Sequence, residues 1–191
     1  MRYWFKATWR VQLWAVVVTL GVIVSPAFAL RVPYPTLFSR GFDSSSIAVF
    51  LAAVPAILWL AVIPRRSIES RLSPVRVLPI ILDLSLVLGF PALLAIAAAI
   101  GDAGARATVV PSLTQSALVI LAACFPAAKG LRALPAIALA ACLLVGNGNR
   151  ITSVWSLAIA ERPTAANLMV TVGALIVALA IYAAATVRQR R

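Results

Sequence analysis

Apolar runs of about 20 residues, separated by short clusters that hold nearly all the charge, constrain this chain more than any other feature. A helix of about 20 apolar residues crosses the roughly 30 Å hydrocarbon layer of a bilayer, and it satisfies every backbone polar group within itself. Runs of this kind occupy approximately residues 11–30, 47–63, 77–100, 109–128, 133–145 and 168–187. The expected fold is therefore all-α: a polytopic integral membrane protein with about six transmembrane helices, in one transmembrane domain covering residues 1–191. The fifth run is short, and the stretch ITSVWSLAIA at 151–160 is too short to cross. The expected arrangement is a fifth span followed by a re-entrant or interfacial helix, closed by Glu161-Arg162-Pro163. One broken helix over the same residues is the rival reading.

Composition agrees with lipid as the main solvent. Apolar residues make up 63% of the chain, against roughly 45–50% in soluble domains. Seventeen basic and five acidic residues give a net charge of +12. A nucleic-acid binder sets its Lys and Arg on one folded face beside polar or aromatic readers. Here they fall between the apolar runs, where they act as topology signals and contacts for anionic headgroups.

The same charges orient the chain. With the amino terminus inside, the inner segments hold Arg2, Lys6, Arg10, Arg65, Arg66, Arg71, Arg76, Lys129, Arg132, Arg188, Arg190 and Arg191. The outer segments keep Arg31, Arg40, Arg106, Arg150 and Arg162, together with Asp43, Asp102 and Glu161. Lys and Arg beside a span resist translocation, so both termini are expected in the cytoplasm and the protein in the plasma (inner) membrane as a multi-pass chain. The first 29 residues also imitate a secretory signal, with Ala27-Phe28-Ala29 as a cleavage site. The length of the apolar run favours retention, and cleavage would leave five spans in the same orientation.

Catalytic chemistry has little to work with. Histidine is absent, which removes the commonest general base, His metal sites and Ser-His or Cys-His nucleophile pairs. Cys124 and Cys142 lie inside apolar runs and read as packing residues. No phosphate-binding GxxxxGK[ST] loop is present. No catalytic residue, metal site or cofactor of its own is expected.

Four features remain as candidate sites. Asp83 is the one acid inside a span. It lies about 9 Å from the span's start at 1.5 Å per residue, where an ion pair with Arg66 or Arg76 competes with a proton-coupling or substrate role. Ser112, Thr114, Gln115 and Ser116 concentrate hydrogen-bonding groups at the start of the fourth span, near the outer face, either as helix-to-helix contacts or as a substrate path. Asn147, Asn149 and Arg150 make a polar turn after the fifth span. The longest inner loop, PRRSIESRLSPVR at 64–76, sets Arg65, Arg66, Arg71 and Arg76 around Glu69, either as a topology signal or as a surface for docking a cytoplasmic partner.

With its basic aromatic start MRYWFKATWR, the loop Glu69 followed by Leu72-Ser73-Pro74-Val75, and an apolar piece between spans five and six, the chain resembles the transmembrane (permease) subunits of ABC-2 type exporters. The resemblance covers most of the chain as layout. The glycine that this family often carries shortly after the loop glutamate is missing here. The resemblance implies a permease without its own ATPase, paired with a second copy or a homologue. A cytoplasmic ATP-binding subunit, supplying ATP and Mg2+, would dock on the inner loop. The substrate would be hydrophobic or amphipathic. Two other readings share the layout: a substrate-capture subunit of a vitamin importer, and a non-transport immunity or assembly factor.

Overall fold

The computed structural model describes residues 2–25, 30–35, 42–59, 78–125, 129–145, 157–160 and 164–188, and the chain over these residues is mostly helical. Helix α1 runs Arg2–Val24. A β-hairpin follows, β1 Arg31–Pro35 with β2 Phe42–Ser46, antiparallel and in register from Arg31 opposite Ser46 to Pro35 opposite Phe42. Helix α2 begins as Ile47–Leu51 and continues over 54–59. Helices α3 (Leu78–Ile100) and α4 (Ala103–Cys124) form a hairpin. A 3-10 turn at Lys129–Ala133 leads into α5 (Leu134–Val145), a second 3-10 turn covers Leu157–Ile159, and α6 runs Ala165–Arg188.

These helices fall where the apolar runs do, with boundary corrections that have local causes. Helix α1 starts nine residues before the expected span, because the basic aromatic stretch is itself helical. The expected loop between residues 30 and 47 contains the hairpin, and β2 feeds directly into α2 through extended Ser46. The Ile47 amide donates to Leu30 O at 2.9 Å and ties the hairpin's start to the helix it precedes. Helix α2 is interrupted at 52–53. Pro55 explains the break, since it has no N–H to give the carbonyl of Leu51 and its ring crowds that carbonyl.

A further correction is at the start of α4, at Ala103 rather than 109. Ile100 is followed by Gly101 at φ 108°, which an L side chain rarely adopts. The Gly101 amide donates to Ala98 O and the Asp102 amide to Ala97 O, closing the end of α3 in a Schellman arrangement. Asp102 then caps α4, its Oδ1 accepting from the Ala105 amide at 2.6 Å. One glycine and one aspartate thus end one helix and start the next.

Helix α4 is the axis of the bundle. Its longest interfaces are with α6 and α3, and it also meets α1, α2 and α5. Two apolar clusters are strung along it. One joins Ala105 and Val109 to Val16 and Ile23 of α1, Ala48 of α2, and Phe90 and Leu94 of α3. The other joins Ala117, Val119, Ile120 and Ala122 to Ala56 and Trp59, Val87 of α3 and Ala178 of α6. The earlier part of α4 therefore meets the later part of α3, so the two helices run antiparallel.

Of the expected re-entrant segment 151–160, the described part is the turn Leu157–Ile159 and Ala160, with Ala158, Ile159 and Ala160 buried. Residues 151–156 lie outside the described residues. Among the described residues, two helices are long and apolar enough to cross a membrane by length and composition: Ala103–Cys124 and Ala165–Ala185.

Candidate functional site

Between the two apolar clusters, α4 turns polar. Thr108, within the first cluster's stretch, and Ser112, Gln115 and Ser116, between the clusters, are all buried, spaced so that they succeed one another around and along the helix. Because α4 starts at Ala103, Ser112 to Ser116 sit at about 14–20 Å along a helix about 33 Å long. Their place is mid-helix, not the outer end expected from the sequence.

The neighbouring helix adds to this layer. In α6 the buried residues Asn167, Thr171 and Ala178, with half-buried Leu175 and Tyr182, lie on one stripe at spacings of three and four. Leu175, Ala178, Leu179 and Tyr182 pack on the end of α4 around Ala117–Ala122. The stripe continues toward the start of α6 through Thr171 and Asn167.

Hydrogen bonding divides these residues into two groups. The hydroxyls of Thr108, Thr114 and Thr171 turn back on their own helices: Thr108 donates to Gly104 O at 2.9 Å, Thr114 to Val110 O at 2.8 Å and Thr171 to Asn167 O at 2.7 Å. Ser116 crosses between helices, donating to Val87 O of α3 at 3.0 Å. The others keep open valences. Ser112 Oγ, both amide atoms of Gln115 and Asn167 Oδ1 are buried with no hydrogen-bond partner among the described residues. Gln115 is 1% exposed and Asn167 2%. An unmet buried polar group costs about 1–3 kcal/mol, which makes these atoms of α4 and α6 candidates for meeting another polar group.

Of the four residues singled out from the sequence, the structure thus keeps Ser112 and Gln115 open, uses Ser116 as a clasp between α3 and α4, and turns half-buried Thr114 onto its own helix. Asn167 escaped the sequence reading because the sixth span was started at residue 168, and Thr171, inside that span, was not singled out. Their spacing of four at the head of that span was the signal that would have placed them on one face. The seam offers amides and hydroxyls. Such groups bind and orient; they do not carry acid–base or nucleophilic chemistry without an activating partner.

The other candidates bear less description. Asp83 lies in α3, five residues after Leu78, and its side chain is outside the described residues. The docking candidates Arg65, Arg66, Glu69, Arg71 and Arg76 and the turn with Asn147, Asn149 and Arg150 also lie outside them. No family model, no curated protein and no solved structure matches this chain.

Proposed function

We propose that this chain crosses the membrane six times with both termini in the cytoplasm, and that it is the permease subunit of an ATP-driven exporter of ABC-2 type. It moves a hydrophobic or amphipathic substrate and draws its energy from a separate cytoplasmic ATP-binding subunit. The observation that carries this reading is the set of unmet amide atoms, both of Gln115 on the central helix and Oδ1 of Asn167 on its neighbour α6. An amphipathic substrate passing through an apolar bundle needs a few polar groups to receive its polar end, and uncharged amides do so without the cost of a buried charge.

Three further observations support it. The exposed faces of α6, with Leu168, Met169, Val170, Val172, Ile176, Val177 and Ile181, fit lipid or a second permease copy better than water. The basic residues alternate across the six runs with the inner side favoured. The chain has no phosphate loop, so an ATP-driven process requires a partner, and the arginines around Glu69 supply charge for docking it.

The test combines recovery of a partner with one substitution. Purification from the native membrane in mild detergent should bring down a nucleotide-binding subunit with measurable ATPase activity. Gln115→Leu should reduce substrate-stimulated ATPase and export about tenfold or more. The melting temperature should stay the same or rise, since a buried amide without a partner is replaced by an apolar group of similar size. Repeated failure to recover a nucleotide-binding subunit, with Gln115→Leu indistinguishable from wild type in export, would overturn the reading.

A further inference from the structure

A second place holds buried polar groups without partners, away from the seam. Where α1, α2 and α3 meet, Gln12, Val16, Pro55, Leu58, Trp59 and Leu86 line a partly open cleft with space of about 10 Å³, enough for one oxygen-sized group. Gln12 is 6% exposed and Trp59 3%. Both amide atoms of Gln12 and the indole Nε1 of Trp59 lack hydrogen-bond partners among the described residues. The other four walls are apolar side chains.

The donor and acceptor set selects the guest. Indole N–H only donates, and the glutamine amide both donates and accepts. A hydroxyl satisfies the two together: its oxygen accepts from Trp59 Nε1–H while its O–H donates to Gln12 Oε1. A carboxylate or ammonium would bring a charge into a cleft with no countercharge on its walls. The second amide hydrogen of Gln12 remains free for an acceptor at the cleft's mouth.

Position along the helices narrows the source of that hydroxyl. Gln12 stands about 15 Å from the start of α1 and Leu86 about 12 Å from that of α3, while Trp59 ends the described part of α2, so the cleft lies in the half of the bundle nearer these three ends. In the sequence this end is the most basic part of the chain, with Arg2, Lys6 and Arg10 before Gln12, and Arg65, Arg66, Arg71 and Arg76 between α2 and α3. Basic residues of this kind attract anionic headgroups.

We propose that the cleft between α1, α2 and α3 is a lipid site that takes the headgroup hydroxyl of an anionic glycerol-type phospholipid, held between Trp59 Nε1 and the Gln12 amide. The proposal rests on membrane placement alone and is independent of export.

The protein in nanodiscs of phosphatidylglycerol and phosphatidylserine in equal amounts tests it, read by native mass spectrometry of the lipid retained after release. Each lipid carries one net negative charge, and only phosphatidylglycerol offers free glycerol hydroxyls. Wild type should retain phosphatidylglycerol about fivefold over phosphatidylserine, the ratio one net hydrogen bond supplies. Gln12→Leu and Trp59→Phe should each bring the ratio close to one, while Ile176→Ala, on the exposed face of α6, should leave it unchanged. If Trp59→Phe does not fold, Gln12→Leu decides alone. Equal retention by wild type, or a preference that survives Gln12→Leu, overturns the site and leaves a single water as its occupant. Recovery of an ATPase partner is unaffected by either result, so failure here is distinct from failure of the exporter reading.

Discussion

Helices α4 and α6 resemble each other in sequence and are used in opposite ways. Both are apolar, uninterrupted and long enough to cross a membrane. Yet 72% of the most apolar stretch of Ala103–Cys124 is buried within the chain, against 11% for Ala165–Ala185. Helix α4 is surrounded by α1, α2, α3, α5 and α6, whereas α6 leans on α4 by one stripe and turns its other faces outward. Even their polar residues follow this division. In α6, Asn167 and Thr171 are on the stripe that meets α4, and the outward faces carry Met169, Ile176 and Val177. The comparison shows that an apolar helix can be the core of a bundle or its boundary, and that the boundary helix reports the solvent.

Paired truncations give the largest contrast. Ile120→Ala removes a fully buried side chain of α4 from an apolar cluster, and should cost about 2–5 kcal/mol. Ile176→Ala, on the exposed face of α6, should cost less than about 0.5 kcal/mol. Thermal unfolding of the two variants in one detergent reads the difference, and equal losses would break the distinction between core and boundary.

A charge on the boundary helix asks what lies outside it. Ile176→Lys, near the middle of α6, should raise the apparent cost of membrane insertion by about 2.5–3.5 kcal/mol in a glycosylation-based insertion assay, as lipid around the helix requires. An unchanged insertion efficiency would mean that water or protein, and not hydrocarbon, faces Ile176.

The smallest effect concerns the turn that brings α4 to its central place. Gly101→Ala puts a side chain at φ 108° with open space around it, so the cost is backbone strain alone, about 1–2 kcal/mol. It should lower the melting temperature while leaving the lipid preference of the Gln12–Trp59 cleft intact. A loss of that preference would tie the cleft to the position of α4.

Much of the fold was legible because a long apolar run that satisfies its own backbone does so as a helix, and its length marks it out. Helices α3 and α5 coincide with their expected ranges within a residue, and α6 within three. The start of α4 was missed because Gly101 and Asp102 change direction in two residues, where a charge was taken to mark a longer loop. The hairpin Arg31–Ser46 was missed because Pro33, Pro35 and the run of serines do not look like strand residues. Half of the candidate site was legible in Ser112 to Ser116. Its partner Asn167 was not, since nothing in a linear sequence says which of six apolar helices will lie beside which.

The sequence by itself determined that this chain is built from apolar helices, because composition and run length decide how backbone groups are satisfied. The tertiary structure decided that α4 would be the axis and α6 the rim, with Asn167 and Thr171 on the stripe by which α6 leans on α4. Interhelical packing depends on which side chains interlock across residues distant in the chain, as Ser116 does with Val87, and that selection among similar helices is made only when they pack.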